Sequence, residues 1–285
     1  MIIGDNKKEV INNIKIAADN KEFNKKVEVN DPKLSTEQKR KIIKKYLKTR
    51  NGLGYKFNNE IARLVVDFVT WSQNKDTEIV GLENIENLNS GAIITSNHFN
   101  PIDNTIIRKL VKKIGKNNLY IVGQEANFAM PGMVGYMMNF SDIIPISNQV
   151  SYLRNEFQDL IEEKLNKNNF ILIYPEEEMW FNYRKPRTLK RGAYYYATKC
   201  NVPIISCFVE IIDTEEKDND EFYKVKYRLH VLPTIYPDPN KTMRENTKYM
   251  MEKDYEQKKQ AYEIAYKKEL DYEFEDDDIA GLIRK

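Results

Sequence analysis

The sequence predicts an α/β protein with helical appendages at both ends. From Thr77 to Leu232, short apolar runs alternate with longer amphipathic stretches, the spacing of strand–helix units. Before Thr77 and after Arg244 the apolar period is helical instead. At 285 residues, 41% hydrophobic and 31% charged, the chain is long enough to bury a full core and has ordinary globular composition. Three regions follow: a helical segment over 1–74, an α/β domain over 75–240, and a C-terminal helix with an acidic tail over 241–285.

Residues 1–34 are polar and Asn/Lys-rich, with a short helix around Lys8–Ala17 and then a loop, and no chemistry is assigned to them. Ser35-Thr-Glu-Gln38 is a capping box that opens a helix. Ile42, Ile43, Tyr46 and Leu47 form its narrow apolar stripe, and Lys39 to Arg50 make the rest strongly basic. After the Asn51–Gly54 break, a second helix over Asn58–Gln73 carries Ile61, Leu64, Val65, Phe68, Val69 and Trp71 around most of its circumference. It is a core helix or one pressed into lipid. Together the two helices make a hairpin suited to an anionic membrane surface.

Strands are expected at Glu78–Val80, Ala92–Thr95, Leu119–Val122, Ile143–Ile146, Phe170–Tyr174, Val202–Ile212 and Tyr223–Leu232. Helices are expected at Pro101–Ile114, Phe128–Phe140, Tyr152–Leu165, Gly192–Cys200 and Arg244–Leu270. Asp213–Asp220 reads as a charged, hairpin-like excursion, and Glu273–Asp278 as a solvated tail.

A net charge of +2 implies no general attraction to nucleic acid. Cys200 and Cys207 match no metal or redox spacing and read as buried thiols of a reducing compartment. No stretch resembles a signal peptide, and no run approaches the roughly 18 apolar residues of a membrane span. The expected location is cytoplasmic, peripheral on the inner face of the membrane, with no metal site. His230 alternates with apolar residues on a strand and reads as structural.

The chemistry concentrates in Gly91–Asn104, GAIITSNHFNPIDN. Asn100 followed by Pro101 is a strong helix start, which puts Asp103 in the first turn. On one continuous helix, His98 and Asp103 would point about 140° apart. With His98 in the loop they can meet, the carboxylate fixing the imidazole tautomer of a general base. The plainer alternative is that Asp103 only caps the helix and His98 is a satisfied polar residue.

Asn97-His98-(four residues)-Asp103 resembles the first signature of the glycerolipid and lysophospholipid acyltransferase family. Further matches follow in order. Gly81 and Glu83-Asn84 resemble the family's turn before the histidine. Gln124-Glu125 through Pro131, Gly132, Gly135 and Asp142-Ile-Ile-Pro-Ile146 resemble its second block. Phe170-Ile-Leu-Ile-Tyr-Pro-Glu176 resembles the third. Leu189-Lys-Arg-Gly-Ala193 resembles the basic segment opening the next helix, and Val202-Pro-Ile-Ile205 the fourth block. The resemblance covers roughly 77–235. It implies a mixed, mostly parallel sheet flanked by helices. It also implies transfer of a fatty acyl group from acyl carrier protein or coenzyme A to a lipid hydroxyl, with no bound cofactor. Since a thioester is already activated, a base near neutral pKa suffices, typically worth about 100- to 10,000-fold. Oxyanion donors are sought at the helix start after Asn100 or in the turn after Pro175.

Departures concern the acceptor. Where the family places phosphate-holding arginines, this chain has Asn148 and Met179, and Glu177-Glu178 replace the usual Gly-Thr. Arg184, Lys185, Arg187, Lys190 and Arg191 offer replacement charge. The candidate acceptor-binding set is Asn97, Glu176, Glu177, Arg184, Arg187 and Lys190. The run Met179–Tyr183 stacks on a sugar, lines an acyl channel, or is a packed loop. Three functions stay open: acylation of a lysophospholipid such as 1-acylglycerol-3-phosphate, the same chemistry on a glycolipid or polyol, or an inactive membrane-associated binding protein.

Overall fold

The computed structural model describes residues 6–29, 31–86, 88–115 and 118–284. Three helices come first: α1 (Lys7–Asp19), α2 (Thr36–Thr49) and α3 (Leu53–Gln73). The α/β part runs β1 (Glu78–Val80), β2 (Ala92–Thr95), α4 (Asn104–Lys113), β3 (Leu119–Gln124), α5 (Gly132–Phe140), β4 (Ile143–Ile146), α6 (Val150–Arg154) and α7 (Glu156–Asn166). It continues with β5 (Phe170–Ile173), α8 (Gly192–Lys199), β6 (Ile204–Lys217) and β7 (Tyr223–Val231), and α9 (Met243–Tyr266) follows.

The strands form one sheet in the order β1-β7-β6-β2-β5-β3-β4. Every neighbouring pair is parallel except β6–β7. The mixed, mostly parallel α/β sheet flanked by helices is therefore present. β2 and β5 are central and covered on both faces, which is why they read as unbroken Ala92-Ile-Ile and Phe170-Ile-Leu runs. Ile106, Ile107 and Leu110 of α4 and Phe157, Leu160 and Ile161 of α7 share their core. Each such side chain is worth about 1.5–3 kcal/mol on burial.

Four departures from expectation have physical causes. The helix after His98 starts at Asn104, not Pro101, because the Asn100 side chain accepts from the Ile102 N–H and Asp103 is spent on the loop. The expected helix over Tyr152–Leu165 is broken at Asn155, where φ and ψ leave the helical region. The tail is solvated only in part: Glu273, Glu275, Asp276 and Asp277 are exposed, but Lys185 Nζ lies 2.9 Å from Asp278, and Ala280 N–H donates to Asn182 O. Ile279 joins a second core, with Val10, Ile14, Phe23, Val27, Trp180, Phe181, Tyr183 and Phe222. That core also answers the Met179–Tyr183 question, since Trp180 and Phe181 are fully buried in a packed loop. Residues 6–29 and the tail thus pack on the α/β domain.

The fourth departure is α3. It is not a core helix, because its polar side faces inward. Asn59 donates to Phe140 O (2.6 Å) and to Asp142 (3.1 Å), and Arg63 Nε reaches Asp142 at 2.8 Å. Asn74, just past its end, donates to Thr105 at 2.8 Å. Leu53, Phe57, Leu64, Phe68 and Trp71 are left between 61% and 85% exposed. In α2, by contrast, Ile43 and Tyr46 enter the main core, and Lys39 and Arg50 pair with Glu125 and Glu163.

Candidate active site

Parallel pairing of β2 with β5 sets the site, because Thr95 is opposite Ile173 and the loops after both strands leave on the same edge. Carboxyl ends of adjacent parallel strands are where α/β folds gather functional groups. The β2 loop brings His98 and Asp103, and the β5 loop brings Tyr174 and Glu176.

Asp103 organises the first loop. Its Oδ2 lies 2.8 Å from His98 Nδ1 and accepts the N–H groups of Phe99 (2.9 Å) and Asn100 (3.2 Å). Its Oδ1 accepts the Tyr174 hydroxyl at 2.5 Å. Asp103 is 4% exposed, and these donors satisfy its buried carboxylate. Because an ionised carboxylate only accepts, His98 donates from Nδ1–H, and Nε2 carries the lone pair. Among the described residues Nε2 has no hydrogen-bond partner, and it is not among the buried polar atoms that lack one. The Tyr174 ring stacks on the imidazole at 3.9 Å and 13°. Burial, and then the Asp103 charge, push the Tyr174 phenol well above its ordinary value, so it stays a donor.

Glu176 braces the loop from the other side. Its carboxylate accepts from His98 N–H (3.2 Å), from Arg187 N–H (2.9 Å) and from the Arg187 guanidinium (2.8 Å). Under the site lies a buried polar cluster, in which Asp254 accepts the Thr95 hydroxyl at 2.8 Å and the Tyr194 hydroxyl at 2.5 Å. Lys258 donates to Thr95 at 2.9 Å and pairs with Asp254.

Of the residues expected at the site, His98, Asp103 and Glu176 come together. Asn97 is beside them but turned away, its amide clamped on Val209 N–H (2.8 Å) and Val209 O (3.0 Å) of β6. Arg184 reaches Asp213 at 2.5 Å and the Asp277 carbonyl at 2.9 Å. Lys185 is buried between Asp271 and Asp278. Arg187 is buried on Glu176. Three of the five cations expected to replace the family's arginines are thus held by the protein's own acids. Lys190 and Arg191 are exposed, and Lys190 N–H donates to Pro175 O at 2.8 Å. Glu177 is exposed, and Glu178 accepts from Gln124 at 2.9 Å.

Sequence reasoning missed Tyr174, Asp254 and Lys258. Tyr174 looks like the last residue of an apolar strand, and only the β2–β5 register brings it to Asp103. Asp254 and Lys258 lie four apart on a polar helix, and nothing in that spacing marks them as buried. His230 Nε2 lies 2.8 Å from the Glu210 carboxylate, a contact within the sheet. Both cysteines are free, and burial pushes the Cys200 thiol up to about 11 and the Cys207 thiol up to about 12. Among the described residues no cluster of His, Cys, Asp or Glu has the arrangement to hold a metal ion.

Fold and site together define an α/β protein with a histidine–carboxylate pair at the carboxyl ends of its central parallel strands. Residues 76–210 match the Acyltransferase family model. Over that stretch, just under half of the chain, the protein is similar to the acyltransferases. A solved structure it is similar to is that of PlsC, the 1-acyl-sn-glycerophosphate (LPA) acyltransferase from Thermotoga maritima. The two share 17% identity over 81% of this chain and 90% of that chain, with a TM-score of 0.49. No curated protein matches the sequence.

Proposed function

We propose that the protein moves a fatty acyl group from acyl carrier protein or coenzyme A to a hydroxyl of a lipid acceptor, with His98 as general base oriented by Asp103. The observation that carries this reading is the 2.8 Å Nδ1–Asp103 contact that leaves Nε2 unpartnered within an acyltransferase domain. Nε2 takes the acceptor hydroxyl proton as that oxygen attacks the thioester carbonyl carbon. The C–S bond breaks as the tetrahedral intermediate collapses, and the imidazolium returns the proton to the leaving thiolate. Asp103 stabilises the imidazolium between these steps. Neither cysteine is a competing nucleophile, since both thiols are pushed far above neutrality.

For the oxyanion, the helix-start N–H groups of Phe99, Asn100, Ile102 and Asp103 are all engaged within the loop. The turn after Pro175 is the better source. Glu177 and Glu178 N–H are engaged there, while the Glu176 and Met179 N–H groups have no acceptor among the described residues.

A lysophospholipid such as 1-acylglycerol-3-phosphate is the first acceptor reading, with Lys190 and Arg191 as the cations still free for its phosphate. The internal commitment of Arg184, Lys185 and Arg187 favours a second reading, a glycolipid or polyol hydroxyl without phosphate. Purified protein given a labelled acyl thioester and a panel of acceptors separates them. Transfer to lysophosphatidate, with KM raised in Lys190→Gln/Arg191→Gln, supports the first. Transfer only to neutral acceptors supports the second, and no thioester consumption with any acceptor contradicts both.

The acceptor is reached at a membrane surface. Among the described residues no helix is long and apolar enough to cross a membrane. The exposed stripe of α3, a helix that packs on α5 with its exposed Met133 and Val134, suits burial at the acyl–headgroup boundary, and α2 adds the exposed Lys41, Lys44, Lys45 and Lys48. Lys75 lies 4.3 Å over the Trp71 ring, placing a cation at the end of the stripe. The inactive-protein reading has no observation in its favour.

A further inference from the structure

Arg187 touches the His98 loop directly, from a position outside the signature residues. Its side chain is 1% exposed. One guanidinium nitrogen, Nη1, donates to Phe23 O at 2.9 Å. The other, Nη2, donates to Glu176 Oε2 at 2.8 Å, to His98 O at 3.3 Å, and to Glu178 O. Glu176 Oε2 in turn accepts His98 N–H at 3.2 Å. The His98 backbone is therefore gripped at both ends, its N–H by Glu176 and its C=O by Arg187. Trp180 N–H also donates to His98 O at 3.1 Å, and the guanidinium lies 4.7 Å over the Trp180 ring.

The grip is closed from a distant part of the chain. Asn24 Nδ2 donates to Glu176 O at 3.2 Å and to Thr188 O at 2.8 Å, and Trp180 Nε1 donates to Lys25 O at 2.9 Å. Residues 23–25 lie well before the matched segment 76–210. A guanidinium enclosed in this way does not meet an acceptor lipid. It does have what the task of bracing a loop needs, a planar fork of donors that spans several acceptors at once.

We propose that Arg187 is a positioning residue for His98. With Glu176 it fixes the His98 backbone, so that Nε2 is aimed once Asp103 has fixed the ring, and residues 23–25 complete the clamp. The proposal rests on the reading of His98 as general base. An ammonium, with three donors on one point, cannot span Phe23 O, Glu176 and His98 O together, so Arg187→Lys keeps the charge and loses the geometry.

The test uses the full-length protein. With only two histidines in the chain, ¹⁵N-histidine spectra separate His98 from His230, which serves as the control for an intact sheet. In Arg187→Lys the expected result is a fall in kcat of about 10- to 100-fold. The acceptor KM stays unchanged, and the His98 ring signals shift while those of His230 do not. In a His98→Ala background the same substitution costs nothing further, a non-additivity that a merely structural role would not produce. An unchanged kcat with a raised acceptor KM would make Arg187 an acceptor contact and overturn the proposal, leaving the base reading intact. Full activity of His98→Ala itself would overturn the base reading, and the proposal with it. Should Arg187→Lys fail to fold, Asn24→Ala probes the same clamp from a partly exposed side chain. A lower kcat with shifted His98 signals is expected there, and no change in either overturns the proposal.

Discussion

Tyr174 and His98 are bound through one carboxylate. Their rings stack at 3.9 Å, and Asp103 accepts Tyr174 OH on one oxygen and faces His98 Nδ1 with the other. Tyr174 therefore limits ring rotation by contact and competes for Asp103 charge by its hydrogen bond. Removing the hydroxyl alone separates the two effects. Tyr174→Phe keeps the stack and loses one bond to a charged group, worth about 1.5–3 kcal/mol. The expected outcome in steady-state kinetics is a reduced kcat with an unchanged acceptor KM. Equal kcat in variant and parent would show that Asp103 needs no second side-chain donor.

The α3 stripe predicts a membrane phenotype without a folding phenotype. Leu64→Glu with Phe68→Glu changes residues that are 71% and 66% exposed, so thermal melts should match the parent. Sedimentation with phosphatidylglycerol vesicles should fall strongly, and parental binding should weaken as salt rises. Vesicle binding retained by the double variant would remove α3 from the membrane contact.

The second core predicts that the N-terminal segment and the tail are structural. Trp180→Ala removes a fully buried indole packed near Phe23 and Tyr183. A loss of about 3–5 kcal/mol is expected in urea unfolding. A loss below about 1 kcal/mol would show that this cluster contributes little to the fold.

Alkaline stability follows from the buried phenols. Burial, and then Asp103 or Asp254, push Tyr174 and Tyr194 well above the ordinary value. Their folded pKa is raised, so the folded state holds these protons more tightly than the unfolded chain. The stabilisation is full below the unfolded tyrosine pKa of about 10 and is lost as pH rises through the folded one. Melting temperature should fall between pH 9 and 11, and less so in Tyr194→Phe. A flat profile over that interval would contradict this.

The sheet was legible because its central strands are buried on both faces and so appear as unbroken apolar runs. The His98–Asp103 pair was legible because both partners lie in one short loop. What escaped depended on tertiary register. Tyr174 reaches Asp103 only through β2–β5 pairing, and Arg187 turns inward because residues 23–25 cover it. Which of its two readings α3 follows also depends on tertiary contacts. An apolar circumference normally seeks a core, but Asn59 and Arg63 are drawn inward by Asp142 and turn the apolar side out.

The central claim is that His98 Nε2 accepts the acceptor's proton, and the most direct measurement is acyl transfer by His98→Ala beside the parent protein. The acyl thioester and the acceptor that serves the parent best should be saturating. The account predicts a fall in kcat of about 100- to 10,000-fold with folding and vesicle binding intact. Parental turnover by His98→Ala would contradict it.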